Sequence, residues 1–140
     1  MVEAVKFSEL KVGDIGEVTK TITEEDVRKF IEICDDVNPI HVDDEFTSKT
    51  PLKTKIVHGI LTSSLISTSV GTKVPGPGSV WLDQSLKFLK PVRINDIITA
   101  ISEIIVKIED RRQVIVRTTC KNQNGEVVIE GVGTHKILNP

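Results

Sequence analysis

Cysteine is scarce in this sequence, and that scarcity excludes two kinds of site. Only two cysteines occur among 140 residues, which argues against a disulfide-stapled scaffold, and their separation matches no zinc or redox motif. A reducing compartment is consistent with this usage. Cys34 continues the apolar stripe of a predicted helix, so we predict that its thiol lies in the core, while Cys120 lies far along the chain.

Long apolar runs are also missing. No stretch approaches the ~20 consecutive apolar residues that a membrane-spanning helix needs. Residues 1–6 lack the apolar core of a signal peptide. We therefore expect a cytoplasmic protein that makes no use of a membrane.

The chain has no basic excess either. A formal charge of −2 leaves no surplus of cations to neutralise a run of phosphates, which argues against general nucleic-acid binding. The hydrophobic fraction of 39% and the charged fraction of 27% are typical of globular proteins. With no internal repeat and no linker, the sequence predicts one domain over residues 1–140.

The first half of the chain predicts a strand and one or two helices. Residues 15–20 alternate enough to form a first strand. A helix is predicted from Thr23, because Asp26 follows at nearly the capping-box spacing and apolar residues recur at helical intervals. It should end before the Asn-Pro pair, since proline disfavours helical geometry in the residue before it. Residues 36–43 are then a rigid loop, with a short helix over residues 44–48.

The second half predicts a helix followed by strands. Residues 59–70 combine large apolar residues with small hydroxyl residues, which weaken helix propensity but allow close packing on a sheet. We predict a buried helix there. Asn124-Gly125 is a strong hairpin signal between the last two strands. The antiparallel strands are predicted over residues 80–88, 97–108, 113–121 and 126–137. This order indicates an α+β fold in which a sheet wraps around one helix.

One octapeptide, DVNPIHVD over residues 36–43, carries the clearest chemical signal. It holds Asp36 and His41 five positions apart, and the proline between them restricts the backbone. Adding water to a carbon–carbon double bond requires a base for the water proton and an acid for the neighbouring carbon. A carboxylate and an imidazole can divide these tasks. The pattern therefore indicates a hydratase in which Asp36 and His41 are catalytic.

The spacing alone leaves several assignments open. Asp36 could instead cap a turn, with His41 a satisfied loop histidine, and Asp35 competes with Asp36 for the catalytic role. Asp43 could orient the imidazole of His41 or cap the helix that follows. Asn38 is expected to bond the backbone of its own turn, with a direct substrate contact as the alternative.

A second candidate element is His58-Gly59 at the start of the predicted helix. The first N–H groups of a helix lack helical partners and lie at its positive end, and glycine lets a substrate approach closely. Gly59 is therefore a candidate oxyanion donor; the alternative is an ordinary glycine at a helix start. His58 is assigned a structural role. Lys87, Lys90 and Arg93 could meet phosphates of a large substrate or form a solvated strand edge.

These residues resemble the MaoC-like dehydratase family, especially its (R)-specific enoyl-CoA hydratases, which feed polyhydroxyalkanoate synthesis. The resemblance spans nearly the whole chain. It includes the octapeptide, IVHG over residues 56–59, PGPGS over residues 75–79 and QSLKFLKPV over residues 84–92. It implies a hot-dog fold, which is a curved antiparallel sheet around a long central helix, and a homodimer with active sites at the subunit interface.

The resemblance also implies roles for individual residues. It selects Asp36 over the aspartate before it, because only Asp36 precedes x-Asn-Pro-x-His. Asp36 and His41 would hold the water, and the N–H of Gly59 would polarise a thioester carbonyl. Ser67 aligns, more loosely, with a polar position near the catalytic pocket of such enzymes, and with Asn38 it completes the candidate substrate-binding residues. No metal or redox cofactor is implied, and coenzyme A is the carrier of the substrate.

The implied reaction is reversible syn-hydration of a trans-2-enoyl-CoA to an (R)-3-hydroxyacyl-CoA. A 3-hydroxyacyl-[acyl-carrier-protein] dehydratase would use the same reacting groups. A hot-dog thioesterase commonly carries a carboxylate on its central helix, and residues 59–70 contain none. A non-catalytic acyl-binding subunit would have no need for both Asp36 and His41.

Overall fold

The computed structural model describes residues 2–140, which form a six-stranded antiparallel sheet and four α-helices. The helices are α1 (Glu24–Cys34), α2 (Pro39–Val42), α3 (Asp44–Ser48) and α4 (Gly59–Thr72). The strands are β1 (Ile15–Thr21), β2 (Ser79–Gln84), β3 (Lys87–Phe88), β4 (Ile97–Ile108), β5 (Gln113–Lys121) and β6 (Val127–Ile137). The sheet order is β1-β4-β5-β6-β2, and β3 also pairs with β6.

The hydrophobic core lies between α4 and one face of this sheet. Burial alternates along the central strands, as expected where one face is covered, and α4 packs against β1, β4 and β5. The buried residues of β4 and β5 are Ile98, Ala100, Ser102, Ile104, Val114, Val116, Thr118 and Cys120. The antiparallel sheet around α4 confirms the predicted hot-dog fold of the α+β class.

The small hydroxyl residues of α4 let the helix lie close to the sheet, as the sequence predicts. Ser69 Oγ bonds Ser102 Oγ at 2.8 Å, and both side chains are fully buried. Gly16 of β1 faces the end of the same helix, where an added Cβ would lie 2.6 Å from Lys73 Cβ. The opposite side of α4, which includes Ile60 and Ser67, is exposed, so the helix is buried on its sheet-facing side only.

The start of α1 confirms the predicted capping box. Thr23 Oγ1 accepts a hydrogen bond from the Asp26 N–H at 3.1 Å, and Asp26 Oδ2 accepts one from the Thr23 N–H at 2.9 Å. These two bonds satisfy donors that a helix start otherwise leaves without partners. The helix ends at Asp35, whose left-handed backbone (φ 60°, ψ 24°) turns the chain sharply.

The prediction that residues 36–43 form a loop is wrong for half of that segment. Pro39–Val42 is a short helix, α2, and Asn38 caps it by accepting the Ile40 N–H at 3.3 Å. Proline forbids helix in the residue before it, but its own fixed φ suits the first helical position. The same Asn-Pro pair that ends α1 therefore begins α2.

The single strand predicted over residues 80–88 is two strands. A register shift between Trp81 and Asp83 bends β2, and β3 then pairs with β6 separately. The apolar side chains of this segment are also more exposed than predicted, with Val80, Leu82 and Phe88 between 42% and 52% exposed. As a result, β2 is an exposed and partly apolar edge of the sheet.

The prediction that Cys34 is a core thiol is wrong, because Cys34 is exposed while Cys120 is buried. Only the first part of α1 packs on the core: Val27 is buried, Ile31 is half-buried and Ile33 is exposed. The apolar stripe of α1 therefore extends beyond the part of the helix that packs on the core. Within residues 2–140, no helix is both long enough and apolar enough to cross a membrane.

Candidate active site

Asp36 lies in the turn that joins α1 to α2, directly after the left-handed Asp35. Its Oδ1 accepts the Asn38 N–H at 3.2 Å, so the carboxylate stabilises its own turn, as one alternative held. Its backbone carbonyl accepts a hydrogen bond from His58 Nε2 at 3.0 Å. The side chain is 48% exposed, which leaves Oδ2 available on the open side of the turn.

His41 is 8% exposed and lies on α2. Its Nδ1 donates to the carbonyl oxygen of Ile56 at 2.8 Å, because a carbonyl can only accept. The Ile56 N–H in turn donates to the Ile40 carbonyl at 3.0 Å, which fixes that acceptor against α2. The neutral imidazole is therefore protonated at Nδ1, and Nε2 carries the free lone pair.

Asp43 does not orient this imidazole. Its Oδ1 accepts the Phe46 N–H at 3.0 Å and caps α3. Of the two roles that the sequence left open for Asp43, helix capping is correct. The backbone carbonyl of Ile56 holds the His41 ring instead.

His58 lies beneath both residues and is 2% exposed. Its ring stacks on that of His41 with a centroid distance of 3.8 Å and an interplanar angle of 27°. Phe30 of α1 approaches it edge-on, with 5.0 Å between centroids. Because His58 Nε2 donates to the carbonyl of Asp36, its Nδ1 carries the lone pair, and that atom is buried without a hydrogen-bond partner among residues 2–140.

These three side chains form one cluster. An oxygen of Asp36, a nitrogen of His41 and a nitrogen of His58 all lie within 4.8 Å of one another. One water that accepts or donates a hydrogen bond of ~2.8 Å to each of two groups at a tetrahedral angle spans ~4.6 Å. Asp36 and His41 are therefore close enough to share a single water, and Asp35 is not part of the cluster.

The cluster has the residue types of a metal site but not its geometry. Imidazole lone pairs lie in the ring planes, and the two stacked rings place them in two nearly parallel planes. A tetrahedral metal needs both nitrogens to converge on one point at ~2.0–2.1 Å. The arrangement suits a shared water better than a bound cation.

Gly59 places the N-terminus of α4 beside the cluster. The first hydrogen bond at this end of the helix runs from the Thr62 N–H to the His58 carbonyl at 3.1 Å, so the Gly59 N–H has no partner within the helix. The same end carries the positive pole of the 14-residue helix. An added Cβ on Gly59 would lie 2.5 Å from the ring of Phe88, which explains why this position has no side chain.

Two cavities share His41, Gly59 and Ile60 as lining residues. The larger, of about 510 Å³, has mostly apolar walls formed by the start of α4, by Leu52, Ile56 and Val57, and by residues 88–92. The smaller, of about 280 Å³, is lined by Asp36, His58, Phe30 and Cys34 as well. His41 therefore connects the polar cluster to an apolar cleft whose volume is within the range of ligand-binding pockets.

The side chains of the other two residues predicted to contact substrate are not part of the cluster. Asn38 is exposed and its side-chain oxygen caps α2, which agrees with the backbone role expected from its turn. Ser67 is exposed on α4, eight residues beyond Gly59, which is ~12 Å along the helix axis. Within one chain Ser67 is not brought to Asp36 and His41, and its role stays a prediction.

The basic residues near the cleft are largely engaged. Lys90 lines the larger cavity and forms an ion pair with Glu126. Arg93 donates from Nη1 to the carbonyl of Thr54 at 2.8 Å. Lys87 lines a separate cavity on β3. Contact with substrate phosphates and a solvated edge therefore both stay open for these residues.

Sequence reasoning missed two neighbours of the cluster. Cys34 was placed in the core, yet it lines the cavity that holds Asp36. Phe88 was treated as one face of a strand, yet its ring packs on Gly59. Neither contact can be predicted from the local sequence. Phe88 and Gly59 are distant in the sequence, and the exposure of Cys34 depends on where α1 stops covering the core.

Comparison with known proteins agrees with this geometry. Residues 13–126 match the family described as MaoC like domain. The (R)-specific enoyl-CoA hydratase of Rhodospirillum rubrum is 41% identical over 128 residues, which cover 91% of this chain and 88% of that protein. The mitochondrial 3-hydroxyacyl-[acyl-carrier-protein] dehydratase of Arabidopsis thaliana is 38% identical over 133 residues, which cover 93% of this chain and 79% of that protein.

Solved structures show the same similarity. The (R)-hydratase from Aeromonas caviae involved in PHA biosynthesis superposes with a TM-score of 0.88 at 34% identity. The match covers 92% of this chain and 98% of that structure.

Proposed function

The chain belongs to the MaoC-like dehydratase family and is a hydro-lyase, and we propose that it is an (R)-specific enoyl-CoA hydratase. The proposed reaction is the reversible syn-hydration of a trans-2-enoyl-CoA to an (R)-3-hydroxyacyl-CoA. One observation carries the proposal. Asp36 and His41 lie within reach of a single water, beside a helix N-terminus whose first N–H is free.

The proposed chemistry begins with that water. Asp36 Oδ2 and His41 Nε2 would each bond it, since Asp36 Oδ1 and His41 Nδ1 are occupied by the Asn38 N–H and the Ile56 carbonyl. One of the two groups removes a proton as the oxygen bonds to C3 of the enoyl group. The other orients the water. The proton taken from the water is then delivered to C2, which returns both groups to their starting state. Dehydration reverses these steps.

The Gly59 N–H would stabilise the charge that develops on the substrate. As the oxygen bonds to C3, electrons move onto the thioester carbonyl, which becomes enolate-like. A donor that is already oriented at the positive end of a helix stabilises that oxygen without reorganisation. Removing one such donor typically costs ~10²–10³ in kcat, which is comparable to the contribution of one acid–base group.

Stereochemistry follows from the position of the pair. Asp36 and His41 would act through one shared water, so hydroxyl and hydrogen would reach the double bond from one face. That is syn addition. It requires no second acid, and no carboxylate is among those of residues 2–140 that line the larger cavity.

Acyl carrier protein is the second candidate for the carrier. The relative from Arabidopsis thaliana is named as a dehydratase of carrier-linked substrates, and the reacting end of both substrates is the same. Comparing kcat/KM for crotonyl-CoA with that for the same acyl group on acyl carrier protein decides between them. We expect the coenzyme A substrate to be preferred, and a preference of the opposite sign would reassign the carrier.

Two other functions of hot-dog proteins are less well supported. A thioesterase with a carboxylate on the central helix does not fit, because the 14 residues of α4 include no Asp or Glu. A non-catalytic acyl-binding subunit gives no reason to hold Asp36 and His41 around one water. A thiol-trapping reagent distinguishes a thioesterase from a hydratase, since hydrolysis frees coenzyme A and hydration does not.

We also propose that the protein works as a homodimer. The support is the edge strand β2, whose unpaired backbone groups and partly exposed Val80, Trp81 and Leu82 form a surface on which another chain can pair. Light scattering coupled to gel filtration should give twice the mass of one chain. A monomeric mass at micromolar concentrations would contradict the dimer.

Crotonyl-CoA tests the function directly. Loss of its conjugated-enone absorbance should depend on the enzyme, and chiral analysis should identify the product as (R)-3-hydroxybutyryl-CoA. No absorbance change, a product of the (S) configuration or release of free coenzyme A would each contradict the proposal.

A further inference from the structure

His58 contacts both proposed catalytic residues but has no free atom with which to act on a substrate. It is buried, and its Nε2–H is used by the Asp36 carbonyl. Its remaining nitrogen has no partner within residues 2–140 and no access to solvent. A proton relay would need that nitrogen to connect to another group. His58 can therefore act on the reaction only through its contacts with Asp36 and His41.

The hydrogen bond from His58 fixes the turn that carries Asp36. That turn follows the left-handed Asp35, and within it the Asn38 N–H donates to Asp36 Oδ1 at 3.2 Å. The His58 Nε2–H bond to the Asp36 carbonyl, at 3.0 Å, is the contact that ties it to α4, 22 residues away in sequence. An apolar residue at position 58 would leave a carbonyl without its partner and the turn without this connection.

The ring of His58 fixes the other member of the pair. His41 stacks on one face at 3.8 Å, while Phe30 approaches the same ring at 5.0 Å and 61°. The His58 ring is thus held between α1 and α2. With the Ile56 carbonyl holding Nδ1, the stack leaves the His41 imidazole little freedom to rotate.

His58 is also the residue that precedes Gly59, where α4 begins. At this N-cap position its side chain makes no capping bond to the helix. Its donor is directed at Asp36 instead. His58 therefore contacts Asp36 through a hydrogen bond and His41 through ring stacking, and it directly precedes Gly59 in the chain.

We infer that His58 is a positioning residue of the proposed hydratase, which sets the distance between Asp36 and His41 to that of one bridging water. The inference deepens the proposed function and rests on it. It excludes His58 from proton transfer and assigns it to the geometry of the two groups that carry protons. A misplacement of ~1 Å in such a pair can cost ~10²-fold in rate.

The test compares kcat and KM for crotonyl-CoA in three variants. His58→Phe keeps a ring that can stack on His41 but removes the donor to Asp36. His58→Gln keeps an N–H near the place of Nε2. His135→Phe is the matched control, because His135 is equally buried but contacts Trp81 and neither catalytic residue.

We expect His58→Phe to lower kcat by at least ~10-fold with KM within ~2-fold of the wild type, because only the reacting pair is displaced. His58→Gln should restore kcat to within ~3-fold of the wild type, and His135→Phe should equal the wild type. A normal kcat in His58→Phe, an equal loss in His58→Gln, or an effect confined to KM would overturn the inference.

Two further measurements keep the outcome decisive. Thermal melts of every variant separate loss of folding from loss of position, and His58→Leu replaces His58→Phe if the larger ring is not accommodated. A crystal structure of the folded donor-free variant should show the Asp36 carboxylate displaced by ~1 Å or more. An undisplaced Asp36 refutes the positioning role even if crotonyl-CoA proves not to be a substrate, whereas inactivity of the wild type refutes only the proposed function.

Discussion

At the scale of single residues, the proposed acid–base chemistry depends on which atoms of Asp36 and His41 are not already hydrogen-bonded. Each side chain has one atom bound to the backbone, Asp36 Oδ1 to the Asn38 N–H and His41 Nδ1 to the Ile56 carbonyl, which leaves Asp36 Oδ2 and His41 Nε2 outside these two bonds. This division is what makes an acid–base pair from two groups that could otherwise be capping and structural residues.

Neutralising either member should stop turnover without unfolding the protein. Asp36→Asn keeps an oxygen for the Asn38 N–H but loses the negative charge, and His41→Gln loses the imidazole nitrogen that can accept a proton. Each should lower kcat for crotonyl-CoA by at least ~10²-fold. Asp35→Asn is the matched control, since it makes the same change one residue outside the cluster, and it should keep wild-type kcat. Turnover near that of the wild type in either site variant would remove the proposed roles.

The exposed Cys34 gives a chemical probe of the cleft. One thiol per chain should react with a disulfide reagent under native conditions, because Cys34 is exposed while burial raises the pKa of Cys120 to about 12. The adduct would fill the cavity that holds Asp36 and should lower turnover by at least ~10-fold. Cys34→Ser should be active and resistant to the reagent. Full activity of the labelled wild type would place Cys34 outside the path of the substrate.

His135 should make stability depend on pH. It is fully buried next to Trp81 with neither ring nitrogen hydrogen-bonded among residues 2–140, and burial lowers its pKa to about 4, against a smaller opposing effect of Asp83. Between pH 6.5 and 4 the unfolded chain binds a proton at this group that the folded chain does not. The unfolding free energy is therefore highest above pH 6.5. It falls by roughly 3 kcal/mol in total as the pH is lowered from 6.5 to 4.

Urea unfolding at pH 7 and pH 5 measures that loss. In His135→Phe the difference in unfolding free energy between the two pH values should shrink by ~1–2 kcal/mol relative to the wild type. An unchanged difference would mean that His135 titrates alike in the folded and unfolded states.

At the scale of elements, α1 shows what a local signal can specify. Its capping box involves Thr23 and Asp26 only, so it can be recognised in the sequence. The bend in β2 cannot be recognised in this way, because it depends on glycines of β6. A Cβ on Gly133 would lie 2.3 Å from Gln84 Oε1, and one on Gly131 would lie 1.8 Å from the Ser85 carbonyl. The strand register there is set across the sheet, not along the chain.

The cap of α1 should contribute to stability but not to chemistry. Thr23→Ala removes the acceptor for the Asp26 N–H and should lower the unfolding free energy by about 1 kcal/mol. Thr23→Ser keeps a hydroxyl and should recover most of it. Urea denaturation measures both variants, and kcat should be unchanged in each. A drop in kcat with Thr23→Ala would show that the site responds to the start of α1 as well as to its end.

At the scale of the whole molecule, the sequence predicted the parts of the site better than their contacts. The octapeptide and the helix-start glycine give Asp36, His41 and Gly59, and the fold brings all three around one cleft. The stacking of His41 on His58 joins residues 17 positions apart, and no periodicity reports it. The exposure of the edge strand β2 and of one side of α4 likewise could not be predicted from sequence periodicity.

Hydration of crotonyl-CoA in heavy water tests the shared water most directly. If Asp36 and His41 act together from one side of the cleft, the oxygen at C3 and the single deuterium at C2 will be added to the same face. Proton coupling between C2 and C3 of the (R)-3-hydroxybutyryl product reports that relation. The account predicts the syn product. Anti addition, or a mixture of the two, would contradict it.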